Sequence, residues 1–422
     1  MYRLDFLEQL KLRALASPEA TQLASVSPAV WRLGYTSMLT DISSEMVNSM
    51  LPAFLVLHLH ASPLTFGVID GLYHGMAVAL LGVAGGVMAD RSRRYKEVAA
   101  AGYGVSALCK LGLLAAGSSM PLIGAIVAVD RVGKGIRTAP RDALLSFNST
   151  TRNLTTSFAV HRALDTGGTL IGPLVGFALL AALPHAYDAV WVTSFVSALL
   201  GLAVLWLFVG NPVESGKTYL SPVASWWSVF QSNVKFGRIL AAASILALAS
   251  ISDGFIYLLI QSKTSAAAHF FPLYFVGTSV CYILLSVPVG MLAIRVGKRN
   301  VLLGAYVILL CLYWSITAGV VGYGAFPVMP LVFLGLFYAG SEGILMALAS
   351  SVIPAPLRTT GLAILNTSIG VSRMAGLALF GWLWHTKGPQ TALVYFEIGL
   401  AAAIVAAVWL LACFTSRQKN EA

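Results

Sequence analysis

Long apolar stretches, each about the length of a membrane-spanning helix, follow one another along the chain with short polar connections between them. A helix needs about 20 apolar residues to cross the hydrocarbon core of a bilayer. The stretches are continuous rather than alternating, which favours helices over the strands of a transmembrane barrel. The pattern predicts an all-α integral membrane protein with twelve transmembrane helices, at 29–58, 64–89, 96–118, 120–140, 155–183, 186–211, 236–262, 268–294, 299–321, 326–350, 357–385 and 389–415.

Composition supports the same interpretation and excludes several classes of protein. Of the 422 residues 58% are hydrophobic, and the mean hydropathy is +0.81. Charged residues make up 10%, compared with about 25% in soluble domains. These values exclude a soluble enzyme, a nucleic-acid-binding protein, a secreted disulfide scaffold and a disordered chain. The four cysteines lie singly in apolar stretches, without the paired spacing of a metal or redox site: Cys109, Cys281, Cys311 and Cys413.

The basic residues are distributed unevenly over the connections. Those on one side of the predicted bundle hold most lysines and arginines, whereas those on the other side hold only Lys263 and Lys387. This asymmetry follows the positive-inside rule and predicts that both termini lie in the cytoplasm. The net charge of +10 then reflects orientation and attraction to anionic lipid head groups, so no nucleic acid is expected as a partner. The leucine spacing in residues 1–28 fits either an amphipathic helix on the inner membrane face or an unstructured tail.

Parts of the chain repeat at a similar offset. Residues 86–96, after the second helix, match residues 290–299, after the eighth helix and 204 residues later. Residues 139–141 similarly match 356–358. Parallel repeats of this kind place a transporter's substrate site near the membrane midplane, between two halves. The predicted units are a cytoplasmic N-terminal segment at 1–28, an N-terminal six-helix bundle at 29–211, a cytoplasmic linker at 212–235, a C-terminal six-helix bundle at 236–415 and a cytoplasmic tail at 416–422.

Three motifs in register carry a resemblance to a known family. Residues 86–95 resemble the Gly-x-x-x-Asp-Arg-x-Gly-Arg-Arg loop of the major facilitator superfamily, with Arg93 at the position of its second glycine. Residues 131–135 resemble the fourth-helix motif of that superfamily, and 168–177 its antiporter-associated fifth-helix motif, with Phe177 replacing the last glycine. The resemblance covers nearly the whole chain and implies two pseudo-symmetric bundles that work by alternating access. It also implies a cytoplasmic latch between helices, formed by Gly86, Asp90, Arg91 and Arg94.

Two acidic residues in the first helix are the sharpest chemical signal. Asp41 lies about 18 Å into the predicted span, and Glu45 follows one turn later on the same helix face. An ionised carboxylate facing lipid is costly, so both are expected to face water, a partner or the bundle interior. Such a pair is suited to carrying protons, although a structural bond to a neighbouring helix is the alternative.

Other ionisable residues occur in the helices that line the central cavity in the superfamily. By resemblance Arg131 faces this cavity and modulates a nearby carboxylate, whereas Asp130, about 100° away around the helix, is expected to face different surroundings. Asp130 and Glu342 are equally consistent with tying helices together. The predicted proton-coupling and substrate-cavity residues are Asp41, Glu45, Asp130, Arg131, Asp253, Glu342 and Arg373.

Two acid–histidine pairs and a glycine stripe complete the candidates. Asp70 and His74, and likewise His161 and Asp165, are four residues apart, so each pair is a possible proton relay or an internal hydrogen bond that orders packing. Neither has the further ligands of a structural metal site. Gly168, Gly172 and Gly176 form a stripe of small residues that lets another helix approach closely. The stripe is either a pliable seal or ordinary tight packing, and Pro173 permits a kink.

The sequence therefore predicts a transporter and not an enzyme. No phosphate-binding loop for ATP is present, so the proton gradient is the expected driving force, without a cofactor. The expected partners are a small-molecule substrate, protons and membrane lipids, with the protein a monomer in the bacterial cytoplasmic (inner) membrane. The fifth-helix motif favours export. Uptake of a polar nutrient, an anionic metabolite or an iron chelate is the alternative, since Arg131 and Arg373 suit an anion, and a substrate-sensing receptor is a third class.

Overall fold

A computed structural model of the chain describes residues 26–75, 78–150, 153–211, 234–264, 267–320, 327–354 and 358–412. Cys413, the tail at 416–422 and most of the predicted 1–28 segment and 212–235 linker lie outside these residues. Within them the regular elements are all helical. The α-helices are α1 (Pro28–Pro52), α2 (Pro63–Gly75), α3 (Val78–Ser92), α4 (Tyr95–Ala116), α5 (Met120–Phe147), α6 (Leu154–Ala182), α7 (Tyr187–Phe208), α8 (Val234–Leu248), α9 (Asp253–Gln261), α10 (Phe271–Val296), α11 (Lys298–Thr317), α12 (Val328–Ser350), α13 (Arg358–Lys387) and α14 (Pro389–Leu410). A π-helix over Ala53–His58 extends α1, and a 3-10 turn over Ala268–Phe270 precedes α10.

The outer surface of the helices is apolar. Ile294, Leu207 and Trp409 are 80%, 70% and 77% exposed. Among the described residues, nine helical segments are long and apolar enough to cross a membrane. A surface of this kind is stable in lipid and would aggregate in water. The chain is a multi-pass membrane protein.

The seventh predicted span departs from its expected form. The sequence predicts one helix over 236–262, whereas the structure breaks it between Leu248, where α8 ends, and Asp253, where α9 begins. Ser252 caps the new helix by accepting a hydrogen bond from the Phe255 amide at 3.4 Å. A serine before an acidic first turn is a helix-start signal. The continuous apolar character of the segment hid this signal.

Helix α1 packs closely against α6 and α7. A Cβ atom at Gly168 would lie 2.6 Å from the Met38 carbonyl oxygen, and one at Gly172 would lie 2.7 Å from that of Ile42. On the opposite side, the Ser194 hydroxyl of α7 donates to the Ser43 carbonyl at 2.8 Å. The predicted glycine stripe therefore lies against the helix that carries Asp41 and Glu45. Helix α6 continues through Pro173.

Helices α1–α7 meet α8–α14 mainly at one end of the molecule. There α2 packs against α13 so closely that a Cβ atom at Gly370 would lie 2.8 Å from the Gly75 carbonyl oxygen. Phe177 of α6 stacks near Phe270, with ring centroids 5.7 Å apart. Phe66 of α2 contacts Phe255 of α9 edge to face at 4.7 Å. These contacts close the molecule at this end, and the positive-inside asymmetry predicts that the closed end faces outward.

Candidate functional site

Asp41 of α1 and Asp165 of α6 form a pair of carboxyl groups. Asp41 is 8% exposed, and its side chain is hydrogen-bonded to that of Asp165. Two carboxyl groups can be hydrogen-bonded to each other only when one of them carries a proton. Close approach of the two helices makes the contact possible, since a Cβ atom at Gly168 would lie 3.0 Å from the Asp41 Cβ atom. The geometry suits a proton shared between the two carboxyl groups.

Basic side chains from α5 surround this carboxyl pair. Arg137 Nη2 lies 3.9 Å from Asp41 Oδ1, and the Arg137 guanidinium lies over the ring of Tyr103 at 4.4 Å. Lys134 contributes a further positive charge near Asp41. Arg141 Nη1 donates to the Ser37 hydroxyl at 3.1 Å, and Ser37 in turn is hydrogen-bonded to Asp165. These positive charges favour the ionised form of the carboxyl groups.

Glu45 is not the partner of Asp41. It accepts a hydrogen bond from Asn48 Nδ2 at 2.9 Å and lies near the positive charges of Arg131 and Lys134. The sequence pointed to Glu45 because it is one turn away on the same helix, but the hydrogen bond of Asp41 crosses to α6 instead. His161, the predicted relay partner of Asp165, is within electrostatic range of it, and its Nε2 is buried without a hydrogen-bond partner.

A second charged cluster links α4 and α5. Lys110 Nζ lies 2.9 Å from Asp130 Oδ1, Arg131 is paired with the other oxygen of Asp130, and all three residues are at most 4% exposed. The Arg131 guanidinium lies 3.8 Å from the ring centroid of Tyr73. Arg131 extends to Tyr73 of α2, whereas Asp130 faces Lys110 of α4, and the long arginine side chain also reaches back to Asp130. Lys110 was missed, although a lysine in the middle of an apolar helix is itself a signal.

The third group of polar residues surrounds the break between α8 and α9. His74 Nε2 lies 3.5 Å from Asp70 Oδ1, and Asp70 in turn lies against Ser252 and near Asp253. The Tyr338 hydroxyl donates to Asp253 Oδ1 at 2.6 Å. Glu342 and Arg373 are within electrostatic range of Asp253. A cavity of 160 Å³ opens beside this group and is lined by Asp253, Phe275, Thr278, Ser279, Tyr282, Tyr338 and Glu342.

The loop of the predicted latch keeps a backbone conformation that normally requires glycine. Arg93 has φ +55°, in the left-handed region, and Gly297 at the matching position of the second repeat has φ +95°. Asp90 Oδ1 accepts a hydrogen bond from the Tyr95 hydroxyl at 2.8 Å, and Arg91 and Arg94 are exposed. Gly86 faces α5, since a Cβ atom there would lie 3.3 Å from the Ala139 Cβ atom. The latch stays a prediction.

A family model and a relative indicate the family of this chain, and solved structures share its fold. The model of the Major Facilitator Superfamily matches residues 33–263. An uncharacterized MFS-type transporter of Methanocaldococcus jannaschii is 27% identical over 392 residues, covering 92% of this chain and 95% of that protein. The crystal structure of the nucleoside transporter NupG has a TM-score of 0.74 at 15% identity, covering 92% of this chain and 100% of that chain. That of a POT family transporter in complex with 5-aminolevulinic acid has a TM-score of 0.73 at 13% identity, covering 92% and 96%.

Proposed function

This chain belongs to the major facilitator superfamily, and we propose that it exports a small molecule across the bacterial cytoplasmic membrane in exchange for protons. The family is one of transporters, so the protein is a transporter and not an enzyme. The observation that carries the proposal is the hydrogen-bonded carboxyl pair of Asp41 and Asp165.

The proposed architecture is twelve spans in two bundles, 29–211 and 236–415, with both termini cytoplasmic. Nine segments of the described residues already meet the length and hydropathy of a span. The other three proposed spans are α1 with its π-helical extension, α2 with α3, and α5. All three carry ionisable residues of the site: Asp41 and Glu45 in α1, Asp70 and His74 in α2, and four residues between 130 and 137 in α5. Polar residues that face the bundle interior are compatible with a span.

The proposed cycle starts from the conformation seen here, which is closed at the predicted outer end. The substrate enters from the cytoplasm, and the proton shared by Asp41 and Asp165 leaves to the cytoplasm, where Arg137 and Lys134 stabilise the remaining charge. The halves then rock so that the site opens outward. The substrate leaves, and a proton from outside restores the hydrogen bond between the two carboxyl groups. Each pH unit across the membrane supplies about 1.4 kcal/mol to this exchange.

The glycine stripe resembles the antiporter-associated motif of the superfamily, which supports export as the direction. Gly168 and Gly172 hold α6 against α1 beside Asp41 and Glu45, so movement between these helices also moves the proton site. Proton-coupled uptake of an anionic or polar molecule is the second candidate. It is favoured by three positive charges, of Arg131, Lys134 and Arg373, that act together on His74.

Transport by purified protein in proteoliposomes with an imposed pH step tests the proposal, after comparison of deletion and overexpression strains has identified the transported compound. Asp41→Asn keeps the size of the side chain but cannot take up or release the proton. We expect this variant to exchange substrate down its gradient and to fail to accumulate it against one. Asp188→Asn, an exposed residue at the start of α7, is the matched control and is expected to behave as wild type. Full proton-driven accumulation by a folded Asp41→Asn variant contradicts the proposal, and accumulation in the opposite direction identifies uptake.

A further inference from the structure

We propose that the cavity beside the break between α8 and α9 binds a protonated amine of the transported molecule. This inference rests on the proposed function, because it assigns a chemical class to the substrate of that transport. The walls of the cavity come from α9, α10 and α12, away from the carboxyl pair between α1 and α6. The amine site and the proton site are therefore separate, and each can be tested without the other.

The lining of the cavity is rich in hydrogen-bond acceptors and includes no basic side chain. Asp253 and Glu342 contribute carboxylates, and Thr278, Ser279 and Tyr282 contribute hydroxyl groups. A volume of 160 Å³ corresponds to about five water molecules at roughly 30 Å³ each, enough for an ammonium group and its first carbon atoms. An ammonium group has three donors and no acceptor, which matches this lining.

The interrupted backbone is a second, independent feature of the same place. Regular helical bonding stops after Leu248 and resumes at Asp253, and the Ile251 amide is satisfied by the Tyr313 hydroxyl at 2.8 Å. The carbonyl groups of Ile245, Leu246 and Ala247 accept hydrogen bonds from Ala249 and Ser250, so the break satisfies its own backbone. Irregular backbone at membrane depth is tolerated where it is buried in protein or lines a cavity, and Asp253, at the end of the break, lines this one.

A third feature is a buried acceptor without a partner. Asp70 is 4% exposed, its Oδ2 atom has no hydrogen-bond partner, and its side chain lies against Ser252 in the break. Leaving such an atom unpaired in the protein interior is costly. Asp70 lies behind Ser252 rather than in the cavity wall, and it adds a carboxyl group next to Asp253.

Carboxyl groups outnumber the guanidinium groups around the cavity. The carboxyl groups are those of Asp70, Asp253 and Glu342. Arg373 faces all three, and Arg162 of α6 faces Glu342. A bound ammonium group would favour the ionised form of these carboxyl groups. A neutral polyol would bring no positive charge, and a quaternary ammonium would leave the acceptors without donors.

The site is tested by adding n-propylammonium chloride to the purified full-length protein. Binding is monitored by thermal unfolding in detergent at constant ionic strength. A ligand that binds only the folded state raises the unfolding temperature in a saturable manner. We expect this for n-propylammonium and not for sodium chloride, tetramethylammonium chloride or sodium propionate. Equal effects of propylammonium and tetramethylammonium, or none from either, would overturn the proposal.

Glu342→Gln is the variant of choice because Glu342 is exposed to the cavity and its replacement leaves the half-buried Asp253 in place. We expect at least a tenfold loss of affinity for n-propylammonium, whereas Asp188→Asn retains it. Ser279→Ala, a second lining residue, is expected to weaken binding to a smaller extent and serves if Glu342→Gln does not fold. Undiminished affinity in both variants would refute the site.

The measurement uses no membrane and no pH gradient, so its outcome is independent of proton coupling. If Asp41→Asn abolishes proton-driven accumulation but no amine binds, the amine-site proposal is wrong and the proton-coupling proposal stands. If amines bind as expected but Asp41→Asn still accumulates substrate, the proton-coupling proposal fails and the amine site stands.

Discussion

Replacing Gly168 with alanine tests whether close contact between α1 and α6 positions the proton site. The new Cβ atom would lie 2.6 Å from the Met38 carbonyl oxygen and 3.0 Å from the Asp41 Cβ atom. Neither neighbour is the end of a flexible side chain, so the helices must separate. Overpacking of this kind costs about 1–3 kcal/mol.

Gly167 provides the matched control within the same helix. A Cβ atom at Gly167 meets nothing within 4 Å. The difference in helix propensity between glycine and alanine is the same at both positions and cancels in the comparison. We therefore expect Gly168→Ala to be about 1–3 kcal/mol less stable than Gly167→Ala.

Unfolding in mixed micelles with increasing denaturing detergent measures this difference, and substrate accumulation in proteoliposomes measures the effect on coupling. We expect Gly168→Ala to fold and to lose most proton-driven accumulation, because the distance between Asp41 and Asp165 increases. Gly167→Ala is expected to transport as wild type. Equal stability and equal transport of the two variants would refute the view that this contact positions the carboxyl pair.

Three further predictions concern the loop, the second charged cluster and the orientation. Arg93→Gly is expected to stabilise the fold by about 1 kcal/mol in the same unfolding assay, because glycine adopts a left-handed φ without strain; an unchanged or lower stability would contradict this. Asp130→Asn should destabilise the fold by about 3–5 kcal/mol, because two buried cations lose their counterion. Lys110→Met should destabilise it by less, because Arg131 still pairs with Asp130, and the reverse order would be evidence against the cluster. A cysteine introduced at position 186 should react with an impermeant reagent in intact cells and one at 217 should not, and the opposite pattern would invert the proposed orientation.

Much of the fold followed from the apolar pattern, because lipid imposes one length and one hydropathy on every span. The break after Leu248 did not follow, since a four-residue interruption barely changes the mean hydropathy of a segment. Asp41 was found because an acid in an apolar helix is costly. Its partner Asp165 was assigned to a different pair, because a contact between helices depends on their relative rotation and register, which spacing within one helix does not reveal.

Dependence on the packing between helices also explains why the sequence did not predict the second charged cluster. Lys110 and Asp130 are 20 residues apart on different helices, so only the packing of α4 on α5 brings them to 2.9 Å. The glycine stripe at Gly168 and Gly172 predicted a close approach but not which helix makes it. Arg93 stands at the glycine position of the motif, and its backbone keeps the turn that glycine would have made.

The shared proton between Asp41 and Asp165 is the central claim, and infrared spectroscopy of the reconstituted protein at neutral pH tests it most directly. A protonated carboxyl group gives a carbonyl stretching band that is distinct from that of a carboxylate and shifts in heavy water. We predict that wild-type protein shows this band, that Asp41→Asn and Asp165→Asn each remove the same component, and that Asp188→Asn leaves it in place. A spectrum in which that component survives both replacements would contradict the account.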